Sequence, residues 1–400
     1  MHNTVAVHND LFYIGGNDRR ISLFESAYPV PRGVSYNSYL LLDEKTVLFD
    51  TVDLAVSEVF FDNLAFLLKD RPLDCVVIHH MEPDHSDSFA RLLEKYPNVR
   101  VIANQKTVQM LSNYYGFDSS RAHVVKEGDT FSSGKHTLRF VFAPMVHWPE
   151  VMFTYDETSQ TLFSADAFGT FGALGGSIFA DEVNFERDWL DDARRYYLNI
   201  VGKYGVQVQN ALKKAAGLKI SAVCPLHGPV WRKDFDRFLA KYSVWSGYQP
   251  EEKGVVVFYA SVYGHTQNAA EILATELVKA GVKQVKTYDV SVTHVSELLS
   301  EAFRYSHAVF AATTYNNAIF PSMENLLREL QSHGFKNRKF AVIENGSWAA
   351  QSGGLMQAIL TAMPNVTQIG EKATVLSAVN ANSRASLEAL AGEIAKDFLA

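Results

Sequence analysis

Apolar and polar positions follow two rhythms along this chain, and the change between them falls near residue 250. Up to about residue 75 the pattern is one of short strands and turns. Leu11 to Gly15, Tyr39 to Leu42 and Thr46 to Phe49 read as strands, interrupted by Gly15-Gly16, Pro29, Pro31, Gly33 and Asp43-Glu44. Asp53 to Asp70 carries Val59, Leu64, Leu67 and Leu68 at helical spacing, and Asp74 to Ile78 is a β-branched run that predicts a buried strand. Helices are then expected over Ser88 to Tyr96 and Val108 to Tyr115. Strands are expected at Val99 to Ala103, Ala122 to Val125, His136 to Val141, Val151 to Tyr155 and Thr161 to Ser164. Leu190 to Leu212 reads as one long helical region, and Ala222-Val223-Cys224 leads into a polar turn. Such irregular alternation suits a layered sheet–helix domain over residues 1–250.

Trp245 to Gly254 is polar, contains Pro and Gly, and reads as a linker. Beyond it, Val255 to Ala260 is a near-continuous apolar run, the mark of a parallel strand covered on both faces. Ala270, Leu273 and Leu277 form a helical stripe closed by Gly281 as a cap. Val285 to Tyr288, Ala308 to Ala312, Phe340 to Ile343 and Thr374 to Leu376 continue as strands. Helices over Ser322 to His333, Gly354 to Ala362 and Arg384 to Leu399 alternate with them. Five strands with right-handed crossovers predict a doubly wound α/β domain over residues 254–400.

Composition narrows the class of partner. The hydrophobic content of 47% with 20% charged residues is that of a soluble globular protein, and a net charge of -7 gives no basic footprint for nucleic acid. Cys75 and Cys224 are the only cysteines, so the chain holds no iron–sulfur or Cys-ligated iron module and no disulfide framework. Met1 to Gly16 lacks the pattern of a signal peptide, and no apolar run is long enough to span a bilayer, so a cytoplasmic location is expected.

The strongest chemical signal is His80-Met81-Glu82-Pro83-Asp84-His85, directly after the predicted strand. Pro83 pushes Glu82 to extended geometry, so the segment is expected to be a loop whose four polar side chains converge. Imidazole suits iron and zinc, and carboxylate adds hard oxygen donors. His147, Asp166 and His227 each follow a strand-like segment in the same way. Together the seven supply four imidazoles and three carboxylates. Against two divalent cations these leave roughly one positive charge, within reach of a bridging hydroxide.

A second signal follows the strand that ends at Ala260. Ser261-Val262-Tyr263-Gly264-His265-Thr266 opens a helix and offers hydroxyls and backbone N–H groups as a phosphate cradle. No G-K-[ST] is present, which favours a flavin monophosphate over ATP. Thr313-Thr314-Tyr315-Asn316-Asn317 and Gly346-Ser347-Trp348-Ala349 follow the third and fourth strands, where open α/β sheets bind ligands. Tyr315 and Trp348 are candidates to pack on an isoalloxazine ring, the alternative for Trp348 being a cap on the core.

His80-x-Glu82-x-Asp84-His85 resembles the metallo-β-lactamase motif H-x-H-x-D-H, with Glu82 in place of the second His. That exchange moves the site from zinc-like towards iron-like ligation. With His147-Trp148-Pro149, Asp166, His227 and the fused C-terminal domain, the chain resembles the flavodiiron proteins. The likeness runs from Gly33-Val34-Ser35-Tyr36-Asn37 to the last helix and includes Thr314-Tyr315-Asn316-Asn317 before Pro321, while Trp348-Ala349-Ala350-Gln351 departs from the usual third loop. The resemblance implies a metallo-β-lactamase-like αββα sandwich of α+β class followed by an α/β flavodoxin-like doubly wound parallel sheet, with nothing appended. It implies that His80, Glu82 and His147 hold one iron, Asp84, His85 and His227 the other, and that Asp166 bridges them.

By the same resemblance FMN passes electrons to the diiron centre, and the enzyme is an oxidoreductase that reduces dioxygen to water, nitric oxide to nitrous oxide, or both. The donor is an external one such as rubredoxin, a flavin reductase or a reduced deazaflavin. A head-to-tail homodimer, or a tetramer of such dimers, is implied. Two other readings stand beside it: a zinc hydrolase with a flavodoxin-like passenger, and an FMN electron carrier without catalysis. Metal analysis separates the three.

Overall fold

The computed structural model describes residues 2–400 and divides into two compact units, one running to Ala240 and one from Lys241. In the first unit two sheets face each other. The seven-stranded sheet has the spatial order Val5–His8, Leu11–Tyr13, Tyr39–Leu42, Thr46–Phe49, Cys75–Val77, Arg100–Asn104, Ala122–Val125. Its first four strands pair antiparallel and its last four run parallel. The five-stranded sheet runs Thr130–Ser132, Thr137–Phe142, Met152–Asp156, Thr161–Phe163, Ala222–Cys224, with only the last pair parallel.

Period-two alternation decides which side chains meet between the sheets. Tyr39, Leu41, Val47, Phe49, Cys75 and Val77 of one face Leu138, Phe140, Met152, Phe163 and Cys224 of the other in a single core. Phe49 and Phe163 stack with ring centroids 3.8 Å apart. Each such fully buried side chain contributes about 1.5–3 kcal/mol. Helix Gln105–Tyr115 covers Arg100–Asn104 and Ala122–Val125 on the outside. Its start is fixed by Asn104, which accepts from the N–H groups of Lys106 and Thr107, and its end by Gly116 at φ +63°. This is the metallo-β-lactamase-like sandwich.

Three expectations are corrected here. Leu190 to Leu212 is not one helix but Leu190–Tyr196, a wider-wound stretch Tyr197–Val201, a tight turn Gly202–Tyr204 and Gly205–Ala215. Gly202 and Gly205 supply weak helical propensity at the breaks. The polar segment after Ile78 is not wholly loop, because Pro83–Ser86 makes one helical turn with the proline at its first position, where no N–H is needed. The stretch read as a linker is mostly ordered structure, with helix Phe235–Ser246 running into it and a strand starting at Glu252.

In the second unit the sheet order is Val285–Asp289, Glu252–Ala260, Tyr305–Tyr315, Arg338–Asn345, then a fifth position shared by Val366–Gln368 and Ala373–Val375. All these pairs are parallel, and in chain order they read 2-1-3-4-5, the flavodoxin-like doubly wound arrangement. Helices His265–Lys279 and Ala381–Leu399 pack together on one face, burying Leu273, Leu277, Leu387 and Ile394 against Val255, Val257, Val309 and Ile343. Of the remaining helices, Pro321–Ser332 packs between Val295–Arg304 and Ser352–Thr361, touching both. Gly281 lies two residues past helix His265–Lys279 at φ +98°, as a C-terminal cap requires. Among the described residues no helix is long and apolar enough to cross a membrane.

Candidate metal centre

Strand ends and the loops between strands deliver the polar side chains of the first unit. His80, Glu82, Asp84 and His85 follow Cys75–Val77, Asp166 follows Thr161–Phe163, and His227 follows Ala222–Cys224. His147 sits in the loop joining Thr137–Phe142 to Met152–Asp156, which is closed by Met145 N–H donating to Trp148 O at 2.7 Å. Ala165, at φ +48°, turns the chain before Asp166, and its carbonyl accepts from Leu226 N–H at 2.9 Å, tying the Asp166 and His227 turns together. Ser35 and Asn37 hold the His227 turn from the far side. Asn37 Nδ2 donates to Pro225 O and Gly228 O, and Ser35 Oγ accepts from Gly228 N–H. Gly228 is required there, since its φ is +74° and a Cβ would stand 2.2 Å from Thr170 Cγ2.

All seven side chains come together, in two buried groups. His80, Glu82, His147 and Asp166 form the first, with ligand-type atoms within 4.8 Å of one another. His80 Nε2 lies 3.3 Å from both Glu82 Oε2 and His147 Nε2, and Asp166 Oδ2 lies 3.4 and 3.2 Å from the two imidazoles. Asp84, His85 and His227 form the second. There His85 Nε2 is 3.0 Å from His227 Nε2 and 3.3 Å from Asp84 Oδ2. Asp166 Oδ1 lies 3.1 Å from His85 Nε2, so the two oxygens of one carboxylate face the two groups separately.

Two observations test whether this donor set fits metal. Lone-pair atoms of neutral imidazoles and ionised carboxylates repel at 3.0–3.4 Å unless a proton or cation lies among them. Both oxygens of Asp84 and of Asp166 are buried without a hydrogen-bond partner, which is costly for charged groups unless a cation compensates. The fit is therefore to a pair of cations. In metal-free protein, protons would take their place. Burial opposes charge on His80, His85 and His147, but Asp166 at His80, Asp84 and Asp166 at His85, and Asp166 and Glu82 at His147 outweigh it, raising His80 and taking the other two up to about 9. Burial works against charge on Asp166 too, and the surrounding imidazoles hold its carboxyl well below the usual range.

Several residues that sequence reading passed over complete the site. Glu150 accepts from His80 Nδ1 at 2.8 Å, and Ser35 O from His227 Nδ1 at 2.8 Å. Glu25 faces Glu82, and desolvation with that neighbour pushes its carboxyl up to about 8. Trp148 stands edge-on to His80, while Phe24, Tyr36 and Tyr196 surround His227. His79 stays outside, its ring held between Asp50 and Thr154 and stacked parallel to Phe49, which is a structural role.

The second constellation lies along one edge of the second unit's sheet, because three parallel neighbouring strands end there. Ser261 Oγ accepts from Gly264 N–H at 3.0 Å, and Gly264, at φ +88°, starts helix His265–Lys279 with Thr266 buried beneath. Asn316 and Asn317 occupy left-handed conformations in a two-residue turn pairing Tyr315 with Ala318. Thr314 Oγ1 accepts from Gln351 and Ser352 N–H, joining that loop to the one bearing Gly346, Ser347, Trp348 and Ala349. Trp348 is 92% exposed and Tyr263 89%, so Trp348 does not cap the core. Backbone N–H groups at a helix start beside exposed aromatic rings suit a phosphate-bearing planar cofactor.

Comparison with known proteins agrees with both halves. A model described as ODP family beta lactamase matches residues 34–228, and the flavodoxin model matches 257–363. The anaerobic nitric oxide reductase flavorubredoxin of Aeromonas salmonicida is 31% identical over 364 residues, spanning 90% of this chain and 68% of that protein. The corresponding protein of Aeromonas hydrophila is 31% identical over 90% of this chain and 72% of its own. Among solved structures, the rubredoxin oxygen:oxidoreductase of Desulfovibrio gigas superposes with TM-score 0.92 at 26% identity, covering 99% of this chain and 98% of that one. A flavo di-iron protein variant from Thermotoga maritima gives TM-score 0.89 at 25% identity, covering 99% and 98%. A metallo-β-lactamase-like domain joined to a flavodoxin-like domain defines a class of oxidoreductase. The chain belongs to the flavodiiron proteins.

Proposed function

We propose that this protein reduces nitric oxide to nitrous oxide, and dioxygen to water, using two irons held by the seven side chains and FMN held at the second unit's sheet edge. The observation that carries the reading is Asp166, one buried carboxylate whose two unpartnered oxygens face two His/carboxylate groups. Glu82 supports iron over zinc, since a carboxylate at that place favours the harder, redox-active ion. The nitric oxide activity is supported by the Aeromonas relatives and the dioxygen activity by the Desulfovibrio neighbour, in each case through that protein's name.

When bound, the irons would supply Lewis acidity and electrons, and FMN would relay electrons one or two at a time. The protein's part is to hold and to admit. His80, His85, Asp166 and His227 are wholly buried, whereas Glu82, Asp84 and His147 keep slight exposure, so small molecules reach the centre past these three. The rings of Trp148, Phe24, Tyr36 and Tyr196 make the surroundings apolar, which suits small uncharged gases. Asp166 keeps the two positions close enough to act on one substrate. Ser261 to Thr266 would cradle the FMN phosphate, with Thr313 to Asn317 and Gly346 to Ala349 along the ring.

For the source of reducing power we infer an external donor such as rubredoxin, a flavin reductase or a reduced deazaflavin. A head-to-tail homodimer in the cytoplasm is the assembly we infer. The test is metal and flavin analysis of protein purified without oxygen, followed by anaerobic nitric oxide and dioxygen consumption. About two irons and one FMN per chain, with consumption of either gas, are expected. Asp166→Ala should lose both irons and lower turnover at least about 100-fold, the upper end of what disturbing a metal's surroundings costs, while FMN stays bound. Full turnover in that variant, or zinc in place of iron, would sink the reading.

A further inference from the structure

The two groups at the metal centre have the same donors. Each has two imidazoles and one carboxylate of its own, Glu82 or Asp84, and they share Asp166. By composition the two positions should therefore bind metal equally. What differs is the group behind three of the four imidazoles. His80 Nδ1 meets the carboxylate of Glu150 at 2.8 Å, His227 Nδ1 meets the neutral carbonyl of Ser35 at 2.8 Å, and His85 Nδ1 has no hydrogen-bond partner.

Glu150 is placed for this with care. It is 1% exposed, its Oε1 also accepts from Met81 N–H at 2.9 Å, and its Oε2 has no partner. No Lys or Arg pairs with it among the described residues, so the ligand His80 is the only ionisable donor it touches. Its main chain is pinned as well, since Asn104 Nδ2 donates to Glu150 O at 2.5 Å while Asn104 Oδ1 caps helix Gln105–Tyr115. A carboxylate accepting from the far nitrogen fixes the tautomer that leaves Nε2 free and makes the imidazole a stronger donor. A carbonyl does this more weakly. Glu25 acts in the opposite sense beside Glu82, but it meets a carboxylate and leaves the contact of Glu150 with His80 Nδ1 unchanged.

We infer that Glu150 is a positioning residue that makes the two metal positions unequal, the one at His80, Glu82 and His147 filling first and releasing its ion last. The inference rests on the reading of this centre as a two-metal site. Its test is anaerobic titration of metal-free, full-length protein with cobalt(II), followed by visible absorbance and equilibrium dialysis. Wild type should bind two ions in two phases. His227→Ala should keep the tighter phase and His80→Ala should lose it. Glu150→Gln keeps the shape and a neutral acceptor, and should weaken the tighter phase about 10-fold. Glu150→Ala should weaken it about 100-fold. In both variants the looser phase stays as in wild type, which serves as the check that they are folded. Two equal phases in wild type, an unmoved tighter phase in both Glu150 variants, or equal weakening of both phases would overturn the inference. Fewer than two ions bound by wild type would instead overturn the two-metal reading beneath it.

Discussion

At the scale of single residues, the centre is a balance between seven groups that cannot all keep their ordinary charge without something among them. In metal-free protein that something is protons. His85 and His147 titrate near 9 against an ordinary 6.5, because Asp84, Asp166 and Glu82 outweigh the burial that opposes their charge. A folded-state pKa above the unfolded one stabilises the fold fully below about 6.5, and that contribution is lost as pH rises through about 9. Metal binding has the opposite slope, since ligating imidazoles must be neutral. Melting temperatures across pH 6.5 to 9 should therefore fall for metal-free protein, and the gap to metal-loaded protein should widen. A metal-free melting temperature that rises over this window would contradict the account. The seven chemical groups were legible in the sequence because each is a metal-capable side chain just past an apolar run. Glu150 was not, since 70 residues separate it from His80 and a glutamate following His147-Trp148-Pro149 does not show which imidazole it faces. Ser35 lay in a stretch noted only for its likeness to a family, and its use of a main-chain carbonyl leaves no trace in residue type.

At the scale of elements, strands framed by turn residues were read to the residue: Tyr39–Leu42, Thr46–Phe49 and Ala122–Val125. Elements with little apolar contrast were passed over. Thr130–Ser132 has a single apolar residue, and Val366–Gln368 is too short to show a period. Long-range hydrogen bonding decides those, as it does the loop ends of the second unit. There, Thr314 Oγ1 accepts from two backbone N–H groups of the next loop, and Glu344 Oε2 accepts from Gly353 N–H. Thr314→Val keeps the shape but leaves both Gln351 and Ser352 N–H groups without this acceptor. Leaving a buried donor unsatisfied costs about 1–3 kcal/mol, a cost that falls on the buried Ser352 rather than the exposed Gln351, and 1.4 kcal/mol is about tenfold in affinity. FMN affinity, followed by quenching of flavin fluorescence, should fall at least about tenfold in Thr314→Val and little in Thr314→Ser. Equal affinities for all three proteins would mean that the loop junction plays no part in flavin binding.

At the scale of the whole molecule, the question is which flavin serves which irons. The chain carries one site of each kind on separate compact units, so electrons pass either within a chain or between chains. In the head-to-tail dimer proposed above, each working pair would come from two chains, and this is open to a mixing test. Asp166→Ala removes the shared metal ligand but leaves the flavin site intact. Ser261→Glu puts a carboxylate where the FMN phosphate would sit and leaves the metal ligands intact. Each variant alone should be inactive. When the two are unfolded and refolded together, about half of the dimers should be mixed, and each mixed dimer contains one complete pair. Nitric oxide consumption should then return to roughly a quarter of the wild-type rate. If electrons stay within one chain, no mixture of these variants can work, because every chain lacks one half of the pathway. A mixture as inactive as its parents, with mixed dimers shown to be present by mass, would place the flavin and the irons of one chain together and rule out the exchange between subunits.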